Sequence, residues 1–173
     1  IGLVRIRRDG ARLAFAAPPL RRSGEVDAST LSQIALGLRL DPRAILAARH
    51  VDNGPPWVAV QLASRDEVLA VNPDYAALGD LDAGVFAPWP EGGDAQFEVR
   101  TFVGAQQLED PVTGSFNAGL AVWLIEAGIA PAHYVASQGT ALHRRGRVHV
   151  DRVGDTTWIG GEVRTLVEGT VRL

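Results

Sequence analysis

The sequence predicts an α+β fold: a mostly antiparallel or mixed sheet, barrel-like in its curvature, wrapped around one central apolar helix. Three observations predict it. The stretch from Phe116 to Ala127 holds Phe116, Ala118, Leu120, Ala121, Val122, Trp123, Leu124 and Ile125, and only Asn117 and Glu126 are strongly polar. A helix that is apolar all round is buried all round. At about 13 residues it is about 20 Å long, too short to span a bilayer, so the rest of the chain must wrap it. That remainder supplies short alternating strands between glycine turns. No tandem repeat, low-complexity tract or domain boundary interrupts residues 1–173, which read as a single domain. A chain of this length buries roughly 70% of its unfolded surface.

The elements follow in order. Val4 to Arg7 alternates apolar and basic residues, Asp9-Gly10 signals a turn, and Arg12 to Ala16 returns as the second arm of a hairpin. Asp27 or Ser29 can cap a helix from Ala28 to Leu38 with Leu31, Ile34, Ala35 and Leu38 on one face. Asp41-Pro42 predicts a short helix to Ala47, and Val51 to Pro56 a turn cluster. Trp57 to Leu62 reads as a strand, Asn72-Pro73 starts a short helix through Leu78, and Gly84 to Ala87 is a buried strand. In Phe97 to Val103, Phe97, Val99, Thr101 and Val103 alternate with Glu98, Arg100 and Phe102. After the apolar helix, Tyr134–Ser137, Arg147–Asp151, Thr156–Ile159, Val163–Glu168 and Thr170–Leu173 read as strands, with Gly160-Gly161 as a turn. The opening Ile1-Gly2-Leu3-Val4 reads as the middle of a strand, from which a fragment or processed piece is expected.

Composition removes several kinds of chemistry. Hydrophobic residues make up 46% and charged residues 21%, and the net charge is −3. That balance argues against nucleic acid or an anionic membrane as partner, and against disorder. There is no Cys, which excludes disulfides, zinc–thiolate sites and thiol nucleophiles. All 17 basic residues are Arg, which excludes Schiff-base catalysis and the P-loop lysine. The Arg-for-Lys bias with abundant Ala, Gly and Val fits a GC-rich bacterial genome, and no export or disulfide signal contradicts a cytoplasmic location.

The entry to the apolar helix is the foremost functional candidate. Asp110-Pro111-Val112-Thr113-Gly114-Ser115 leads into it. The first amides of a helix lack internal partners. Gly114 lets a ligand approach the backbone, Ser115 adds a hydroxyl, and the helix dipole favours an anion such as a carboxylate or phosphate. Equally, Thr113 or Ser115 could cap the helix and its end could meet solvent. Glu109-Asp110 could move protons or hold an ammonium group, or be surface acids near a helix N-terminus. His50, His133, His143 and His149 lack metal-ligand spacing and read as structural or surface residues, with His149 on a solvent-facing strand side. Ser115 is in no G-x-S-x-G elbow. No cofactor is implied.

These residues resemble a known family. Phe97-Glu98-Val99-Arg100-Thr101-Phe102, then Glu109-Asp110-Pro111-Val112-Thr113-Gly114-Ser115 and an apolar helix, are similar to the PhzF-like isomerases of phenazine biosynthesis. So are Asn53-Gly54-Pro55 before a strand, Ser137-Gln138-Gly139, and the closing Ile159-Gly160-Gly161-Glu162-Val163 to Gly169-Thr170-Val171. The resemblance covers the second half of that family. It implies a diaminopimelate-epimerase-like fold and a cofactor-independent proton shift beside a carboxylate, in a cleft between two halves. Carried onto this sequence, catalytic Asp110 would contact the polar group of a small carboxylic-acid substrate, and Thr113, Gly114 and Ser115 would bind its carboxylate. The family's general-base glutamate belongs to the first half, an N-terminal domain with no counterpart here, so half a site is expected. Where the family often has Arg-Pro-Ser after the Gln-Gly turn, this chain has Arg145-Gly146-Arg147. Two alternatives stand beside this: a non-catalytic carboxylate-binding module, and a half-length chain that rebuilds a two-fold site as a homodimer.

Overall fold

The computed structural model describes residues 3–172. β1 (Ile6–Asp9) and β2 (Arg12–Ala16) form the expected hairpin, with Asp9 opposite Arg12 and Gly10 taking φ +59° in the two-residue turn. β3 (Arg22–Glu25), β4 (Ala47–Asp52), β5 (Val58–Gln61), β6 (Asp82–Pro88), β7 (Phe97–Val103) and β8 (Leu108–Asp110) follow. β9 (His133–Gln138), β10 (Gly146–Val153) and β11 (Thr156–Glu162) complete the sheet. The helices are α1 (Ala28–Gly37), α2 (Arg65–Ala70), α3 (Tyr75–Leu78) and α4 (Gly114–Glu126).

The sheet order is β1-β2-β11-β10-β9-β7-β6-β5-β4-β3, with β8 paired to β7. β5–β6 and β7–β9 are parallel and the other pairs antiparallel. A parallel neighbour needs a crossover: α2 and α3 make the first, β8 and α4 the second. The barrel-like expectation needs one correction: the sheet is open, with β1 and β3 at its ends. Its opening is bridged by the β2–β3 connection, where the Ala17 amide donates to the Thr157 carbonyl and the Arg21 amide to the Asp52 carbonyl.

Alternation in the central strands sends neighbours to opposite faces and builds two cores. Trp57, Ala59, Phe86, Phe97 and Val99 pack inward on Phe116, Leu120, Ala121 and Leu124 of α4, joined from the other side by Val148, Val150 and Ile159. Val58, Val60, Val85 and Phe102 point outward, against Ile34, Val68 and Leu78 of α1–α3 and against Leu38, which caps α1. Strands with both faces covered read as nearly continuous apolar runs, which is why β5 and β6 carry little alternation.

The wrapping of α4 leaves no room at its middle. A Cβ on Gly119 would stand 3.0 Å from the Val51 Cβ and closer still to the Val51 carbonyl oxygen. Helix propensity favours Ala over Gly by about 1 kcal/mol, but overlap with a neighbouring strand's backbone outweighs it. Gly119→Ala is expected to lower stability by about 1–3 kcal/mol. Urea unfolding checks this, and a gain in stability would mean that β4 can back away from the helix.

His50 is buried on β4, and its Nε2 has no hydrogen-bond partner. Burial, aided by the Arg22 charge and opposed by Asp27 and Asp52, holds its pKa below the ordinary 6.5. The unfolded chain therefore takes up this proton at a higher pH than the folded chain. Between the two values the unfolded state holds more protons, so stability falls as pH drops below about 6.5. Replacing His50 with Gln is expected to shrink the fall in urea midpoint between about pH 7.5 and about pH 5.5. An undiminished fall would clear His50 of the effect.

Several elements depart from expectation. The helix at Asp41-Pro42 is only a 3-10 turn over Pro42–Ala44, because Ile45 turns extended and Ala47–Asp52 pairs between β3 and β5. The helix beginning near Asn72 starts at Tyr75, capped by Asp74. Gly160-Gly161 lies inside β11, opposite Ala14 and Leu13, rather than in a turn. Residues 163–172 form no strand, and Ile1, Gly2 and Leu173 lie outside the described residues. His149 is half-buried, its Nδ1 2.8 Å from an Arg12 guanidinium nitrogen. No helix among the described residues is long and apolar enough to cross a membrane.

Candidate active site at the head of the buried helix

β7 and β8 bring the acid pair to the head of α4 and then separate its members. Alternation sends Glu109 to the outer face of the sheet, where it chelates Arg100: Nε donates to Oε1 at 2.9 Å and Nη2 to Oε2 at 2.8 Å. Nη1 of the same guanidinium donates to the carbonyls of Val68, Leu69 and Val71, closing the end of α2. Glu109 is thus a structural partner. Asp110 faces the other way, toward the helix entry, and the proton-transfer candidate is reduced to it.

Thr113 occupies the N-cap position of α4 without capping it. Its hydroxyl instead donates to Asp110 Oδ2 at 2.7 Å and lies 2.6 Å from the Thr101 hydroxyl. Its amide donates to Gln138 Oε1, and Asn117 Nδ2 donates both to the Thr113 carbonyl and to Gln138 Oε1. The amides of Gly114, Ser115 and Phe116 have no acceptor among the described residues. These are the donors that a helix N-terminus offers to an anion.

Ser115 is oriented from behind. Trp57 Nε1 donates to its Oγ at 2.9 Å, and Asn53 Nδ2 donates to its carbonyl at 2.8 Å. An indole N–H can only donate, so the Ser115 hydroxyl keeps its own proton to give elsewhere. Gly114 and Ser115 are half-buried, while Thr113 is buried. The head of the helix therefore presents three amides and a hydroxyl as donors, beside the Asp110 carboxylate.

The loop carrying Asp110 rests on glycine. Gly139 has φ +92°, and a Cβ there would lie 2.8 Å from the Pro111 carbonyl oxygen. Arg145 and Arg147 are occupied elsewhere. Both pair with Asp94, at 3.0 and 2.9 Å, and hold its carboxyl below the ordinary carboxylate value, Arg147 first. With Val112, Gly146, His149, Gly161 and Glu162 they line a groove of about 430 Å³, whose nearest residue in sequence to α4 is Val112. Among the described residues no three His, Asp or Glu side chains cluster as metal ligands would.

Trp57 was not identifiable as a site residue, since its partner Ser115 lies far along the chain, and Asn53 and Thr101 stood in family-like strings without any local sign of what they bond. Asn117 carried a signal: a polar side chain inside an otherwise apolar, buried helix must find a partner.

An open mixed sheet wrapped on a buried helix, with an acid-bearing loop at the helix head, defines the class as an α+β domain built around one central helix. The chain belongs to the PhzC-PhzF family, phenazine biosynthesis-like proteins, which it matches over residues 3–170. It is similar in fold to a phenazine biosynthesis PhzC/PhzF protein from Clostridium difficile, at TM-score 0.70 and 22% identity over 98% of this chain and 61% of that one. A PhzF-family protein from Enterococcus faecalis gives TM-score 0.70 and 21% identity over 97% of this chain and 60% of that one. A predicted epimerase from Pseudomonas aeruginosa gives TM-score 0.66 and 21% identity over 95% and 63%. Antisense-enhancing sequence 1 of Schizosaccharomyces pombe is 27% identical over 97% of this chain and 63% of its own length. The chain thus spans about three fifths of the proteins it matches.

Proposed function

We propose that this domain belongs to a cofactor-independent isomerase or epimerase that shifts a proton beside the carboxylate of a small organic acid. The observation that carries the reading is the pairing of one free acid with an unsatisfied helix head. Asp110 is bonded to the Thr113 hydroxyl at the N-cap of α4, whose first three amides have no acceptor among the described residues and whose Ser115 hydroxyl keeps a proton to donate. The amides of Gly114 and Ser115 and that hydroxyl hold the substrate carboxylate, with Thr113 fixing the turn. The dipole of α4 adds a favourable field. Asp110 meets the substrate's polar group and exchanges a proton with it. A second acid–base group completes the site from polypeptide outside these residues, across a cleft, in the cytoplasm. Membership of the family and the epimerase-like fold support the reading.

Solvent exchange tests it. The full-length protein is incubated in D2O with a panel of small carboxylic acids, and deuterium at the carbon beside the carboxylate is read by NMR. Incorporation above the uncatalysed rate supports an isomerase. Saturable binding without incorporation would leave a carboxylate-binding module.

A further inference from the structure

We propose that Gln138 is a positioning residue for Asp110, acting through a one-way chain of hydroxyls from Thr101 to Thr113. This rests on the reading of Asp110 as the acid–base group.

The direction of the chain is fixed by chemistry at each link. Gln138 is fully buried. Its Oε1 receives two N–H donors, the Thr113 amide at 3.1 Å and Asn117 Nδ2 at 2.8 Å. Exchanging its oxygen and nitrogen would set an NH2 group against both donors, so the orientation of the amide is determined. Nε2 therefore faces Thr101 Oγ1 at 3.0 Å, Thr113 Oγ1 at 3.1 Å and the Asp110 carbonyl at 2.9 Å, and it can only donate. Thr101 accepts from it, and because Thr113 spends its one proton on Asp110 Oδ2, the proton between the two hydroxyls is that of Thr101, donated to Thr113 Oγ1 at 2.6 Å, with the Asp110 carbonyl at 3.3 Å as its more distant alternative acceptor. Thr113, having accepted, donates to Asp110 Oδ2 at 2.7 Å.

Two consequences follow. Asp110 has one carboxylate oxygen held by Thr113, while Oδ1 has no partner among the described residues and is free for substrate. The same Gln138 side chain ties the Thr113 amide and the Asp110 carbonyl, so the acid and the first turn of α4 are fixed to one buried group. A misplacement of about 1 Å at a reacting group can cost about 100-fold in rate, which is the scale of benefit such anchoring supplies.

Thr101 is the position to test, because it touches neither Asp110's carboxylate nor the helix-head amides. Thr101→Val keeps the shape and removes the hydroxyl, and Thr101→Ser keeps the hydroxyl. In the D2O exchange assay with full-length protein, Thr101→Val is expected to lower the saturating exchange rate about 10- to 100-fold. The half-saturating acid concentration should change little, and Thr101→Ser should recover most of the rate. Crystal structures of both variants supply an arm independent of activity: the Asp110 carboxylate should rotate in Thr101→Val and stay in Thr101→Ser. An unmoved Asp110 in Thr101→Val, or exchange at the unmodified rate, overturns the positioning role. If the unmodified protein exchanges nothing, the isomerase reading fails, and the crystallographic arm alone decides whether the chain of hydroxyls orients Asp110.

Discussion

Replacing Arg100 with Met is expected to remove about 3–5 kcal/mol of stability, the scale found when one partner of a buried ion pair is deleted. Arg100 and Glu109 have side chains only 6% and 10% exposed, so neither charge is relieved by water when the other is lost. The guanidinium also holds the carbonyls of Val68, Leu69 and Val71, at 3.1, 3.2 and 2.7 Å. Those carbonyls end α2 and lead out of it; the Val68 carbonyl also takes the long Val71 N–H bond that caps the helix, while no backbone donor reaches those of Leu69 and Val71 among the described residues. Met would leave the Leu69 and Val71 carbonyls and a buried carboxylate without partners at once. Domains of this size are held by roughly 5–15 kcal/mol, so the variant would stand near the edge of folding. Arg100→Lys should recover part of the loss only, because an ammonium cannot chelate both Glu109 oxygens and reach α2 as a planar fork can. The double replacement of Arg100 and Glu109 by Met is expected to be more stable than the single Arg100→Met, since it removes the stranded charge. Urea unfolding of the three variants checks the set. A loss under about 1 kcal/mol for Arg100→Met would place the pair among solvent-screened bridges.

Arg100 also marks where the sequence could be read and where it could not. The alternation of Phe97 to Val103 correctly set Phe97, Val99, Thr101 and Val103 on one face and Glu98, Arg100 and Phe102 on the other. It could not reveal that the second face is buried as well, since that depends on α1–α3 arriving from elsewhere in the chain. The all-apolar run fixed α4 and its burial, because no other environment accepts such a helix. Ala47–Asp52 was not identifiable as a strand: Ala47-Ala48-Arg49-His50 has neither β-branched content nor alternation. Its pairing with β3 and β5 overrides the local preference. At the site, Asp110 to Ser115 were visible as a contiguous string. The fates of Glu109 and Asp110 were not, because adjacent residues on a strand face opposite ways and only the fold says which way is in. Gln138 lay within a recognisable Ser-Gln-Gly string, but its five hydrogen bonds depend on β7 and β9 lying side by side.

Asp110→Asn is expected to separate binding from chemistry at the helix head. Asn has nearly the shape of Asp and can still accept the Thr113 hydroxyl through its amide oxygen, so the loop should hold. It cannot serve as an acid–base group. Loss of a positioned acid or base costs typically about 100- to 10,000-fold, and the deuterium exchange rate should fall by that factor. Affinity for a plain carboxylate should move the other way. Asp110 carries a negative charge beside the amides proposed to hold an anion, and removing it lessens repulsion. Benzoate, followed through the amide shifts of Gly114 and Ser115 in full-length protein, should therefore bind at least as tightly to Asp110→Asn as to the unmodified protein. The two readouts decide between roles. Exchange lost with benzoate binding kept identifies Asp110 as the proton-transfer group. Binding lost with exchange kept per bound acid would make it a binding residue only, and the catalytic acid would have to be sought elsewhere. An unchanged exchange rate would remove Asp110 from the mechanism, and with it the main reason to read this helix head as a site of proton transfer.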